Sequence, residues 1–138
     1  MMTDNHGSPS PVSLLLVDDE TGFAEVIRKR LTKRGVIVEI AGGGSEAFQL
    51  LRSRDFDVAV LDLKMEDMDG LEVLKIFKKM VPEMPVIMLT GHGSETAAKE
   101  GIRLGAFDYL TKPCELDDLL EKISDAVTMN HKEIAHEH

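Results

Sequence analysis

The stretch LLLVDD at residues 14–19 decides the fold class, because four apolar residues run directly into two adjacent carboxylates. Three later apolar runs end in the same manner, in Asp62, in Thr90 and in Lys112. Short apolar runs separated by helix-like stretches are typical of buried parallel strands. Ligands of such sheets bind outside the carboxyl ends of the strands. The sequence therefore predicts that carboxylates, a hydroxyl and an ammonium gather at one edge of a parallel sheet.

The stretches between the apolar runs have helical spacing, and Thr21 is the predicted N-cap of the first helix. Helices are predicted at 21–34, 45–54, 71–80, 94–104 and from 115 onward, with further strands at 36–41 and 107–110. Five β–α units without an internal repeat predict an α/β fold, a doubly wound five-stranded parallel sheet with helices on both faces. The crevice is then expected between the first and third strands.

The length of 138 residues predicts one domain with a real core. We place this domain at residues 12–128, between a disordered lead-in at 1–11 and a frayed polar tail at 129–138. The formal net charge of -9 repels a nucleic acid backbone, so direct binding of nucleic acid is not expected.

The lone Cys114 excludes an internal disulfide within this sequence and fits a reducing compartment. We interpret it as a small, semi-buried thiol. No apolar stretch is long enough to span a bilayer. A cytoplasmic location without a membrane partner is therefore expected.

The adjacent carboxylates of Asp18 and Asp19 indicate a cation site, because they repel each other unless a positive charge is near. Mg²⁺ is the natural candidate, since it prefers one or two carboxylates, retained waters and a phosphate oxygen. The alternative is an acidic helix N-terminus stabilised by the helix dipole, a purpose that Glu20 would also serve.

Asp62 ends a fully apolar run, and its carboxylate has two candidate functions, as a metal ligand or as a nucleophile. An aspartate can form an acyl phosphate as a covalent intermediate, provided that the charge of the incoming phosphoryl oxygens is neutralised. Lys112 can supply a cation for this purpose and Thr90 a hydroxyl. Taken singly, Lys112 would be a solvated loop lysine and Thr90 a helix cap.

Two further features flank this edge of the predicted sheet. The Lys112–Pro113 bond is open to either isomer, because proline lowers the cost of a cis peptide. His92 lies between Gly91 and Gly93 and could be a metal ligand or a general base, but no partner stands at ligand spacing. We therefore interpret His92 as a residue of the site rim that tunes access.

Together these residues resemble the receiver domain of two-component response regulators, over roughly residues 13–127. The motifs that carry the resemblance are LVDDE (16–20), LDLKM (61–65), MDG (68–70), MLTG (88–91) and AFDYLTKP (106–113). The resemblance implies a chemotaxis-regulator-like, flavodoxin-like fold with strand order 2-1-3-4-5.

The resemblance also implies a role for each site residue. Asp62 looks like the phosphoacceptor, and Thr90 and Lys112 look like the switch hydroxyl and the phosphate-binding lysine. Asp19 looks like the direct Mg²⁺ ligand, with Asp18 acting through water. The remaining implied roles are a metal-binding carbonyl at Lys64, a switch aromatic at Tyr109, and tuning of the dephosphorylation rate by Lys64 and His92.

The same resemblance implies partners. A histidine kinase or phosphotransfer protein would donate the phosphoryl group, and the surface of the fourth helix, fifth strand and last helix would contact an effector. That effector is either a separate protein or a further domain of a longer chain, and a phosphorylation-dependent homodimer would use the same surface. The chain is not expected to be an enzyme beyond its own phosphorylation and slow dephosphorylation.

One departure and two rival functions stand beside this interpretation. The family commonly has Met-Pro after the acceptor, whereas this chain has Met65-Glu66, which supplies a backbone N–H in place of a proline. A phosphohydrolase of the aspartyl-phosphate type is a rival, although it usually has an acid where Lys64 stands. A non-phosphorylated scaffold receiver is the other, although it would normally lack part of the acidic set.

Overall fold

The computed structural model describes residues 11–91 and 93–137, with residues 131–137 described as backbone only. Within these ranges five strands alternate with five helices. The elements are β1 (Ser13–Val17), α1 (Thr21–Lys33), β2 (Ile37–Ala41), α2 (Gly44–Ser53), β3 (Val58–Asp62), α3 (Gly70–Met80), β4 (Val86–Thr90), α4 (Glu95–Arg103), β5 (Asp108–Thr111) and α5 (Leu116–Glu137). The strands form one parallel sheet in the order β2-β1-β3-β4-β5, which confirms the predicted fold.

The sheet is buried on both faces because alternate residues of each central strand point into two separate cores. In β3, Val58 and Val60 pack on one side, while Ala59 and Leu61 pack on the other. Helices α1 and α5 cover the first side, and α2 and α3 cover the second. Each fully buried aliphatic side chain stabilises the fold by about 1.5–3 kcal/mol, so strands β1, β3 and β4 are held firmly in register.

Register and strand order together bring the strand ends level with one another. Val17 pairs with Leu61, so Asp18 begins the loop beside the end of β3. Asp62 pairs with Leu89, and Thr90 pairs with Thr111. Because β1 has β2 on one side and β3 on the other, the loops after β1 and β3 diverge and leave a crevice between them.

Several boundaries differ from the sequence prediction. Thr21 is the first residue of α1 and not its N-cap; Glu20 holds the N-cap position without a side-chain capping bond. The fifth strand lies one residue later than predicted. Helix α5, predicted from residue 115 onward, begins at Leu116 and runs to Glu137, in a segment that contains neither glycine nor proline after its start.

The predicted lead-in lies almost entirely outside the described residues, as does His92. The division into lead-in, domain and tail therefore stays a prediction. Among the helices of the described ranges, none combines the length and the apolar character that a membrane crossing requires.

Gly70 marks the tightest backbone approach near the crevice, where the start of α3 meets the end of β3. A Cβ atom at this position would lie 2.5 Å from the Cα of Leu63 and 2.7 Å from its carbonyl oxygen. The N–H of Gly70 donates to that same carbonyl at 3.3 Å. Because the obstacle is backbone, a side chain here can be accommodated only by moving the loop that follows Asp62.

We predict that Gly70→Ala lowers the free energy of unfolding by about 1–3 kcal/mol, the usual cost of overpacking. Gly22→Ala is the matched control, because no atom lies within 4 Å of its added Cβ in helix α1. This control is expected to leave stability unchanged or to raise it by less than about 1 kcal/mol. Urea unfolding measures both, and equal stability of the two variants would contradict the packing argument.

Candidate functional site

The carboxyl ends of the central strands carry three buried polar side chains. Asp18, Asp62 and Thr90 are 0%, 3% and 2% exposed. The structure therefore brings together residues that the sequence placed at the ends of three different strands. Asp18 follows β1, Asp62 ends β3 and Thr90 ends β4. Polar groups are buried here because the strands that carry them are held by apolar residues on both faces.

Lys112 reaches into this cluster from the loop after β5. Its backbone N–H donates to the Thr90 carbonyl at 2.7 Å, and the peptide bond to Pro113 is cis. The ammonium nitrogen lies 3.2 Å from Asp62 Oδ2 and 3.1 Å from Asp18 Oδ2. One cation thus bridges two buried carboxylates that would otherwise repel each other.

Two residues that the sequence did not assign to the site hold the Lys112 ammonium in place. Glu20 Oε1 accepts a hydrogen bond from it at 2.7 Å. The ammonium also lies 4.3 Å from the ring centroid of Phe23, within the range of a cation–π contact. The sequence indicated Glu20 only as a helix-terminal charge, because a glutamate does not by itself signal a contact 92 positions away.

Burial sets the protonation behaviour of Asp18. It raises the pKa of this carboxyl from its usual 3.8 to about 6, against the opposing effects of the Glu20 N–H and the Lys112 ammonium. The Glu20 N–H donates to Asp18 Oδ1 at 2.9 Å. The other oxygen, Oδ2, is paired in charge with Lys112 but has no hydrogen-bond donor in suitable geometry. This oxygen is therefore available to a further cation.

The surroundings of Lys112, unlike those of Asp18, favour the charged form of the side chain. Burial alone would lower the pKa of its ammonium, but the hydrogen bonds and charges of Glu20, Asp18 and Asp62 outweigh burial and raise that pKa. Glu20 is fully exposed, and its pKa is lowered by Lys112. Lys112 is therefore cationic at neutral pH.

A divalent cation would find oxygen ligands in this cluster. One carboxylate oxygen each from Asp18, Glu20 and Asp62 lie within 4.8 Å of one another. Together with the unbonded oxygen of Asp18, this set could hold a metal ion of the kind that prefers carboxylates. Asp62 Oδ1 is also oriented, because it accepts the N–H of Lys64 at 3.0 Å.

Asp19 lies apart from this set. Its Oδ2 accepts the backbone N–H of Glu66 at 3.0 Å, across the mouth of the crevice. Glu66 belongs to the loop between β3 and α3, whose next residue, Asp67, accepts the N–H of Gly44 at the start of α2. The N–H of Glu66 is evident from the sequence, but its partner is not.

Thr90 and Tyr109 lie in the neighbouring strands β4 and β5. The Thr90 hydroxyl makes a long hydrogen bond of 3.4 Å to the Leu110 carbonyl, on the β5 side of the cluster. Tyr109 lies on the outer surface and is 37% exposed.

The Lys64 side chain is exposed at the rim, while Cys114 is half-buried and burial raises the pKa of its thiol.

The raised pKa of Asp18 generates a stability prediction with a definite sign. Between about pH 4 and pH 6 the folded protein binds more protons at Asp18 than the unfolded chain does, so this group destabilises the fold increasingly as pH rises. Without metal, Asp18→Asn should raise the free energy of unfolding at pH 7.5 by about 1–3 kcal/mol. The gain should disappear below pH 4, where Asp18 is protonated.

Denaturant unfolding in the presence of a chelator, at several pH values, measures this difference. Asp55→Asn is the control, because Asp55 is an exposed carboxylate of the loop between α2 and β3. An Asp18→Asn variant no more stable than wild type at pH 7.5 would show that burial of this charge costs little.

Comparison with known proteins places this arrangement in a family. A family model described as the response regulator receiver domain matches residues 14–124. The transcriptional regulatory protein GlrR of Escherichia coli (strain K12) is 40% identical over 120 residues, which make up 87% of this chain and 27% of that protein. The luminescence regulatory protein LuxO of Vibrio campbellii (strain ATCC BAA-1116) is 39% identical over 112 residues, or 81% of this chain and 25% of that protein.

Solved structures agree with these sequence matches. A CheY-like response regulator receiver domain protein from Methanospirillum hungatei JF-1 aligns with a TM-score of 0.85 at 35% identity, covering 90% of this chain and 99% of that one. NtrX from Brucella abortus aligns with a TM-score of 0.88 at 29% identity, covering 92% of this chain and 29% of that one. This chain spans about a quarter of the length of the curated relatives it matches. By fold, by sequence match and by its acidic cluster, the chain belongs to the receiver domain family of two-component response regulators.

Proposed function

We propose that Asp62 accepts a phosphoryl group from a phosphohistidine of a histidine kinase or phosphotransfer protein. The observation that carries this proposal is the position of the Lys112 ammonium, 3.2 Å from Asp62 and 3.1 Å from Asp18. Asp62 is 3% exposed at the end of β3, with one oxygen on the Lys64 N–H and the other beside Lys112. A nucleophilic carboxylate is thus oriented beside a fixed positive charge.

The transfer needs no co-reactant apart from a proton, because one bond to phosphorus forms as another breaks. A carboxylate oxygen of Asp62 forms a bond to phosphorus while the phosphorus–nitrogen bond of the phosphohistidine breaks. The electron pair returns to the imidazole nitrogen, which takes up a proton. Lys112 stabilises the phosphoryl oxygens, which carry about -1.5 to -2 of charge after transfer. The ammonium is already positioned for this by Glu20 and Phe23.

The metal expected here is Mg²⁺, and the donor set fits it. Asp18, Asp19, Asp62 and the Lys64 carbonyl would hold it. When bound, Mg²⁺ neutralises charge on the carboxylates and on the phosphoryl oxygens. The assignment of Asp18 is supported by its buried Oδ2, which has no hydrogen-bond donor in suitable geometry and only the Lys112 ammonium as a charge partner.

The phosphoryl group would then act as a switch through Thr90 and Tyr109. The Thr90 hydroxyl leaves its weak bond to Leu110 and donates to a phosphoryl oxygen, and Tyr109 turns inward to fill the space. The change is a local electrostatic event that biases a two-state element. Its output surface comprises α4, β5 and the start of α5, including Ala97, Lys99, Arg103, Tyr109 and Asp117.

Receiver domains are signalling domains, and we propose that this one turns over no substrate apart from its own phosphorylation and slow dephosphorylation. Lys64 and His92 would set the dephosphorylation rate. Two of the relatives named above are regulatory proteins about three times as long as this chain, which supports an effector domain in the same polypeptide or a separate effector protein. A phosphorylation-dependent homodimer and a cytoplasmic location complete the proposal.

The proposal predicts that acetyl phosphate and Mg²⁺ add one phosphoryl group to the wild-type chain, as measured by intact mass. Asp62→Asn should abolish the addition, because an amide cannot form the acyl phosphate. Asp55→Asn, which removes an exposed carboxylate seven residues earlier, should be phosphorylated like wild type. Phosphorylation that survives in Asp62→Asn at the wild-type rate would overturn the assignment.

A further inference from the structure

The loop after the phosphoacceptor is tied to the opposite wall of the crevice by a single backbone donor. The N–H of Glu66 donates to Asp19 Oδ2 at 3.0 Å. Asp19 comes from the loop after β1 and Glu66 from the loop after β3, so the bond crosses the mouth of the crevice. A donor is present here because residue 66 is glutamate and carries an N–H that a proline would lack.

With this bond formed, Asp19 lies outside the acidic group at the strand ends. Oxygens of Asp18, Glu20 and Asp62 lie within 4.8 Å of one another, and Asp19 is not part of that group among the described residues. For Asp19 to join Asp18 and Asp62 around a cation, its side chain must turn toward them. Turning removes Oδ2 from the Glu66 N–H, so metal binding and this hydrogen bond compete.

We propose that Glu66 is a positioning residue whose backbone N–H holds Asp19 outside the carboxylate cluster and thereby lowers the affinity of the site for Mg²⁺. The proposal rests on the assignment of Asp19 as a Mg²⁺ ligand in the proposed function. Asp19 is half-buried and Glu66 is exposed, so the bond has the modest net strength of a hydrogen bond near solvent. Its loss is expected to tighten Mg²⁺ binding about threefold to tenfold.

Because the cation and the Glu66 N–H compete for Asp19, metal binding affects how firmly the loop after β3 is held. The segment between β3 and α3 is held on one side by Asp19 and on the other by Asp67, which accepts the Gly44 N–H at 3.3 Å. When Asp19 turns to the metal, the loop keeps only the second of these two ties. Mg²⁺ occupancy therefore loosens the segment that borders the phosphoacceptor before any phosphoryl group arrives.

The test compares Glu66→Pro with Glu66→Ala in the full chain, without a phosphodonor. Both variants lose the exposed carboxylate, but only the proline variant loses the N–H. Isothermal titration with Mg²⁺ should show that Glu66→Pro binds about threefold to tenfold more tightly than Glu66→Ala. Equal affinities, or weaker binding by the proline variant, would overturn the proposal, since the N–H would then be neutral or would help to place Asp19.

A second measurement, on the wild-type chain, tests the proposal even if the proline variant does not fold. Circular dichroism would show whether that variant folds. In the wild-type chain, the Glu66 amide proton should exchange with water faster at saturating Mg²⁺ than without it, relative to the Gly44 amide as an internal control. Unchanged protection of Glu66 would overturn the proposal. A wild-type chain that binds no Mg²⁺ would contradict the proposed function as well, whereas equal variant affinities with normal wild-type binding contradict this inference alone.

Discussion

The site depends on one electrostatic constraint, which is that carboxylates brought together at buried strand ends must be neutralised by a cation. Asp18 and Asp62 are almost fully buried because the apolar strands that carry them are packed on both faces. The Lys112 ammonium satisfies part of this demand from β5, two strands away from β3 in the sheet. Even beside Lys112, burial raises the pKa of Asp18, so a further cation would stabilise its carboxylate.

Carboxylates whose charge is only partly neutralised can persist at the strand ends because the rest of the fold is stable. The two cores on either side of the sheet hold the strands, so the cost of clustered charge is borne without distortion of the framework. A divalent cation or a phosphoryl group can then change the balance of charge at the strand ends. In the proposed function, the groups that respond are the Thr90 hydroxyl, which makes one long hydrogen bond of 3.4 Å, and the Tyr109 side chain, which is 37% exposed.

Much of this could be predicted from the sequence, because strand ends are visible in it. The apolar runs that end in Asp18, Asp62 and Thr90 locate one edge of the sheet, and the β–α alternation predicts the parallel topology that the structure confirms. This prediction depends only on the burial of apolar strands and on the geometry of parallel sheets.

The contacts across the crevice could not be predicted in the same way. Glu20 bonds to Lys112 and the Glu66 N–H bonds to Asp19, and both contacts depend on how loops from distant parts of the chain are placed. The predicted N-cap at Thr21 was wrong because Glu20 takes the N-cap position and its side chain bonds to Lys112.

The central claim is that the carboxylate of Asp62, and no other in the cluster, carries the phosphoryl group. Borohydride reduction of the phosphorylated chain, followed by peptide sequencing by tandem mass spectrometry, tests this directly, because an aspartyl phosphate is reduced to homoserine. The account predicts homoserine at position 62 only. Homoserine at position 18 or 19, or a phosphorylated chain without any reducible aspartate, would contradict it.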